Sequence, residues 1–168
     1  MAHHEDRSAP TDQVAKVSKL VAGERQAMLT TTAPDGTLIS RPMAVQEAEF
    51  GGDLWFFAEA SSRKVSHLAH DPQVNVTFSS SDSWVSLTGR GSVVRDPAKK
   101  RELWNAVVEA WFPDGKDDDG IVLLKVDGES AEYWDTPGGR VATALSFAKA
   151  KLTGKQYSGG ENAKVDLP

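Results

Sequence analysis

Apolar residues along this chain change their spacing several times, and each change marks an element. Val14, Val17, Leu20 and Val21 recur at helical spacing, which predicts a helix over residues 11–22. Residues 28–32 combine Thr with bulky apolar side chains and read as a strand. Ala33-Pro34-Asp35-Gly36 supplies the turn, with Pro at its second position and Gly at its fourth, and residues 38–45 return as the partner strand. After the turn at Gly51-Gly52-Asp53, residues 54–58 form an apolar run of strand length. Ser61-Ser62 offers a helix cap ahead of Val65, Leu68 and Ala69, and Asp71-Pro72 closes that helix.

The second half alternates again. Val74, Val76 and Phe78 are separated by Asn75 and Thr77, the period of a half-buried strand. Residues 84–94 repeat it, with Gly89 and Gly91 marking a bend or a close approach to the backbone. Asp96-Pro97 opens a helix, and Leu103, Trp104, Val107, Val108 and Trp111 form one helical apolar face that Phe112-Pro113 ends. Residues 114–120 read as a solvated acidic loop, without the alternating ligands and terminal Glu of a calcium loop. Residues 121–126 and 130–134 are the last strands, Pro137-Gly138-Gly139 breaks the chain, and residues 141–151 can form a helix.

Residues 1–10 read as a mobile tail, residues 11–155 as one domain, and residues 156–168 as a loose polar tail. About six hairpin-linked strands without regular strand–helix alternation argue against a doubly wound parallel sheet. A mainly β fold is expected, an antiparallel β-barrel with flanking helices.

Composition narrows the function. The 168 residues carry a net charge of −5, a poor match to a nucleic-acid partner. No apolar run approaches the roughly 20 residues of a membrane span. With no cysteine there are no disulfides or thiolate sites, which is compatible with a cytoplasmic protein. In such an acidic chain an anionic small molecule needs a local basic pocket. Ser61-Ser62-Arg63-Lys64 offers one, with two hydroxyls and two cations at a helix start just after a strand. A capped surface helix with solvated cations accounts for the same four residues. Arg41 can add a cation to the same anion if its strand lies alongside; Pro42 marks a strand edge and Met43 a core position.

Other chemistry is poorly supported. His3 and His4 belong to the tail, and His67 and His70 share a helix face without a third ligand, so no metal site is expected. His67 reads as partly exposed or as a local hydrogen-bonder. There is no Gly-x-Ser-x-Gly elbow, phosphate-binding Gly-Lys loop or dinucleotide fingerprint. The tryptophans are mostly core or interface candidates, able to stack on a planar ligand.

The stretch Phe56-Phe57-Ala58-Glu59-Ala60-Ser61-Ser62-Arg63-Lys64, followed by Leu68 and His70-Asp71-Pro72-Gln73-Val74, resembles the FMN-binding split-barrel proteins related to pyridoxamine 5′-phosphate oxidase. Arg41-Pro42-Met43 upstream and Trp84-Val85-Ser86-Leu87-Thr88-Gly89 downstream fall in the same order. Tyr133-Trp134-Asp135-Thr136-Pro137-Gly138-Gly139 and Phe147-Ala148-Lys149-Ala150 resemble the bacterial general stress protein branch.

The resemblance spans about residues 12–155 and implies a six-stranded antiparallel split barrel, dimerised with two FMN sites at the subunit interface. It implies that Ser62, Arg63 and Lys64 hold the FMN phosphate and that Arg41 joins the phosphate or ribityl contacts. Pro42, Met43 and Ala44 would run beside the isoalloxazine through backbone groups, with Phe57 and Ala58 near the same ligand. Trp84 stands where the oxidase branch has a flavin-contacting Gln, and Trp134 would reach the flavin from the second subunit. Gln46 stands where that branch has a Lys, and its C-terminal substrate motif has no counterpart after Trp134, so pyridoxamine phosphate oxidation is not implied. The implied function is flavin-dependent oxidoreduction of a small substrate, with no assigned catalytic side chain. A non-catalytic flavin-binding stress or storage protein, and a barrel holding FAD, haem or a deazaflavin, stand as alternatives.

Overall fold

The alternation of the sequence becomes one antiparallel sheet of seven strands. The computed structural model describes residues 8–46, 51–136, 138–154 and 160–168. In chain order the elements are α1 (Ser8–Val21), β1 (Gln26–Thr32), β2 (Leu38–Ala44), β3 (Asp53–Glu59), α2 (Arg63–His70), β4 (Gln73–Ser79) and β5 (Ser83–Val94). α3 (Pro97–Leu103), α4 (Ala106–Trp111), β6 (Ile121–Asp135), α5 (Gly139–Thr153) and β7 (Glu161–Asp166) follow. The strands run β2-β1-β4-β5-β6-β3, with β7 also on β6. Among the described residues no strand ladder closes the path. The Gln46 N–H donates to the Trp55 carbonyl at 3.0 Å and ties the end of β2 to β3. The fold is thus the expected mainly β split barrel with flanking helices.

The β1–β2 hairpin follows its turn chemistry. Gly36 adopts φ +84°, its N–H donates to Ala33 O at 2.8 Å, and the Thr37 N–H donates to the Asp35 carboxylate at 3.0 Å. β3 is apolar without alternation because it is covered on both faces. Phe56 and Ala58 enter the barrel core with Leu29, Val76, Leu87 and Leu124. Phe57 packs under α3 and α4 with Leu103, Val108, Ile121 and Leu123, its ring meeting that of Trp104 edge-on at 5.4 Å.

The close approach expected at Gly89 and Gly91 is real. A Cβ on Gly89 would stand 2.1 Å from the Asp127 carbonyl oxygen, at the register shift where β6 bulges against β5. A Cβ on Gly91 would meet the Leu68 side chain of α2 at 2.6 Å.

Four expectations change. The helical face from Leu103 to Trp111 is split, because the Asn105 side chain accepts from Val107 N–H and Val108 N–H and starts a new helix. Residues 121–135 form one long strand, which pairs with β3 along its first half and with β7 along its second. A seventh strand replaces part of the tail expected over 156–168. Ala163 and Val165 alternate with Asn162 and Lys164, and Val165 is buried against the β6 edge left beyond β3. Finally, residues 8–10, expected to be tail, belong to α1, while residues 1–7, with His3 and His4, lie outside the described residues, as do Pro137 and residues 155–159.

Candidate functional site

The site forms where β2, β3 and the start of α2 come together. Ser62 holds the N-cap position of α2, but its side chain caps nothing. Its Oγ is buried and has no hydrogen-bond partner among the described residues. The expected capping role is thus replaced by an unsatisfied hydroxyl, which is costly unless something else pairs with it.

Arg63 and Lys64 follow Ser62 in the first turn of α2. Burial, and then the charge of Arg63, pushes the Arg41 guanidinium below its usual range. Burial, and then the charge of Arg41, does the same to the Lys64 ammonium, with Glu59 opposing. Arg41 of β2 is therefore within electrostatic reach of both Arg63 and Lys64 of α2, which favours an anion there.

Arg41 is held from below. Its Nη1 donates to Thr31 Oγ1 at 2.7 Å and to Leu29 O at 3.3 Å. Thr31 Oγ1 also lies 2.9 Å from His67 Nδ1. His67 is 5% exposed, and its pKa is lowered by burial first and then by Arg41 and Arg63. It is therefore a buried neutral ring in contact with β1, neither partly exposed nor bonded within its own helix. Neither Thr31 nor His67 carried a sequence signal for this contact, because they lie 36 residues apart.

Next to the cations opens a cleft of about 680 Å³, within the size range of small-ligand sites. One wall is strand: Pro42, Met43 and Ala44 of β2 with Phe57 and Ala58 of β3, joined by Lys64. These six expected residues share the cleft; Arg41, Ser62 and Arg63 are not on its lining. The other wall is α4, through Val107, Val108 and Trp111, and Arg25 lies on the rim. Sequence periodicity carries no sign of that wall: it puts Val107 and Trp111 on one helical apolar face, with Trp111 a core or interface candidate.

Trp84 and Trp134 stand apart from this cleft within the chain. They face each other across β5 and β6, 43% and 40% exposed. Trp84 lines a different cleft with Phe147 and Ala148 of α5.

A buried donor without a partner, clustered cations and a flat apolar wall together suit a phosphorylated planar cofactor. The fold is that of a split barrel, and comparison with known proteins makes its class specific. Residues 12–158 match the family model described as pyridoxamine 5′-phosphate oxidase like, and the chain belongs to that family. Among curated proteins it is 30% identical over 163 residues to protein bli-3 of Neurospora crassa, covering 89% of this chain and 78% of that one. Among solved structures it is similar to the general stress FMN/FAD binding protein of Xanthomonas citri, at 32% identity and TM-score 0.65, covering 74% of this chain and 89% of that one. It is also similar to a candidate general stress protein 26 of Jannaschia sp. CCS1, at 28% identity and TM-score 0.76, covering 94% and 99%. Among the described residues no helix is long and apolar enough to cross a membrane.

Proposed function

We propose that this protein is an FMN-binding homodimer of the cytoplasm that carries out flavin-dependent oxidoreduction of a small molecule. The observation that carries the reading is the buried, unpartnered Ser62 hydroxyl next to Arg63 and Lys64, with Arg41 alongside. A phosphate would accept from the hydroxyl and take the cations' charge, removing the cost of both. The FMN/FAD-binding relative in Xanthomonas citri supports a flavin as the bearer of that phosphate.

Each group has a distinct task. Arg63 and Lys64 bind the phosphate, and Ser62 donates to it. Arg41 orients the chain between phosphate and ring, and Thr31 fixes Arg41. Met43, Ala44, Phe57 and Ala58 keep water from one face of the ring. A bound flavin supplies hydride transfer itself, so the site needs no acid or base of its own. Trp134 would approach the ring from the second subunit.

Visible absorption of the purified protein, titrated with FMN, tests this reading. Saturable binding with perturbed flavin bands is expected, weakened at least tenfold by changing Arg63 and Lys64 together to Ala. No binding at micromolar FMN, or unchanged affinity in the double variant, overturns it. Oxidation of NADH or NADPH above the free-flavin rate then separates turnover from storage.

A further inference from the structure

A short turn would suffice to join β6 to β7, because Asp135 at the end of β6 pairs in register with Glu161 at the start of β7. The chain instead leaves and returns at that point with residues 136–160 between, and these carry the 15-residue helix α5. The helix stands off its own sheet. A cleft of about 670 Å³ lies between Trp84 and Asp82 on one side and Phe147, Ala148 and Lys151 on the other. Leu145 and Leu152 are two turns apart on one side of α5, 68% and 87% exposed, with exposed Lys149 between them. Apolar side chains gathered on an exposed helix face mark a contact surface.

A matching surface lies on α4. Val107, Ala110 and Trp111 share one side of it, Val107 and Trp111 being 54% and 75% exposed. The charges around the two stripes are opposite. Residues 136–160 carry Arg140, Lys149, Lys151 and Lys155 and no Asp or Glu. Residues 109–119 carry Glu109, Asp114, Asp117, Asp118 and Asp119 against Lys116 alone. Asp117 pairs with Arg101 and Asp118 accepts from the Gly120 N–H, while Glu109 and Asp114 are exposed beside the stripe. The cleft that α4 walls holds both signs, Arg25 and Lys64 with Glu59, and Glu102 nearby pairs with Lys99. The opposition of charge therefore belongs to the outer end of α4 and not to the cleft floor.

We propose that α5 is an arm that reaches a second copy of this chain, laying its Leu145 and Leu152 stripe on the Val107 and Trp111 stripe of that copy's α4 and closing the open side of its cleft. The proposal rests on the reading that the flavin site lies at a subunit interface which Trp134 approaches from the second subunit. α5 begins at Gly139, a few residues beyond Trp134, so the same approach carries the helix to the cleft that α4 walls. A twofold axis repeats the contact in both directions and covers both stripes at once. Apolar burial supplies the attraction, and Lys149 facing Glu109 and Asp114 sets the orientation. Each cleft is then complete only with the other subunit's arm in place.

The chain has no cysteine, so introduced thiols react alone. Ala110→Cys and Leu152→Cys are combined in the full-length protein, with and without FMN, and treated with a bismaleimide whose span of about 10 Å matches two packed helices. On a denaturing gel the pair is expected to give about fivefold more covalent dimer than either single variant, because docking holds the two thiols together. Adding Lys149→Glu should cut that yield about threefold, and adding Glu109→Lys with Asp114→Lys should restore most of it. A yield no higher than in the single variants, from a protein that sediments as a dimer, overturns the arm and leaves the dimer and cofactor readings standing. A cross-link confined to the monomer band places α5 over its own cleft and overturns it too, as does a yield that Lys149→Glu leaves unchanged. Flotation with anionic lipid vesicles that Leu152→Glu abolishes, in the absence of the cross-link, assigns the stripe to a lipid surface and overturns it. Sedimentation of the unaltered protein as a monomer overturns the subunit reading first, and the arm with it. Absence of FMN binding overturns the cofactor reading, and the cross-link without FMN then still decides the arm.

Discussion

Arg41 Nη1 donates to Thr31 Oγ1 at 2.7 Å, and that hydroxyl has one hydrogen left to give. The same hydroxyl pairs with His67 Nδ1, 2.9 Å away. A guanidinium in the anion site is thus fixed through a strand hydroxyl to a buried neutral imidazole. Thr31→Val keeps the shape and removes the link. FMN affinity is expected to fall about fivefold, equivalent to ~1 kcal/mol, and stability by roughly 1–3 kcal/mol because His67 and Arg41 lose a partner. Unchanged FMN affinity in a folded Thr31→Val protein would show that Arg41 needs no such support.

The same histidine makes stability depend on pH. Burial and the nearby charges of Arg41, Arg63 and His70 hold its pKa below the usual value, against a smaller opposing effect of Asp35. The unfolded chain therefore takes up the proton first. The contribution of His67 is complete above about pH 6.5 and is lost progressively as pH falls below that, at up to ~1.4 kcal/mol per pH unit. Thermal unfolding from pH 8 to pH 5 should show this decline, and His67→Gln should flatten it. An identical slope in the variant would assign the decline to other groups.

Two glycines separate backbone from side-chain crowding. Gly89→Ala drives a Cβ into the Asp127 carbonyl, which cannot move without breaking the bulge between β5 and β6. Gly91→Ala presses on Leu68, whose side chain can turn. Gly89→Ala should cost more than about 3 kcal/mol and Gly91→Ala about 1–2 kcal/mol, read by denaturant unfolding. Equal costs would contradict the account of the bulge.

Much of this architecture was legible because its signals are local. The turn at Ala33–Gly36 requires its Pro and Gly, the two-faced burial of β3 shows as an unbroken apolar run, and Ser61-Ser62-Arg63-Lys64 shows a hydroxyl–cation cluster in four consecutive residues. Most of what escaped depends on distant partners. β7 has two buried-side positions, Ala163 and Val165, and gains its partner from the unused half of β6. α4 begins at Asn105 because that side chain turns onto its own backbone within an otherwise continuous apolar pattern. The Thr31–His67 contact joins residues from separate elements, and the exposure of Trp111 depends on how α4 sits over the cleft.

Ser62 offers a test that divides stability from binding. Its hydroxyl is buried without a partner among the described residues, so Ser62→Ala removes an unsatisfied group and should leave the ligand-free protein as stable or up to about 1 kcal/mol more stable. The same change should weaken FMN about tenfold, the value of one hydrogen bond to a charged group. A destabilised protein with normal FMN affinity would give Ser62 a purely structural role.

The central claim is that Ser62, Arg63 and Lys64, of which Lys64 reaches the cleft, hold the phosphate of a flavin. Parallel titrations of the unaltered protein with FMN and with riboflavin, which share the ring and ribityl chain and differ in the phosphate, test it most directly. FMN is expected to bind at least a hundredfold tighter, with the difference shrinking as salt is raised. Equal affinities, or no binding of either, would contradict it.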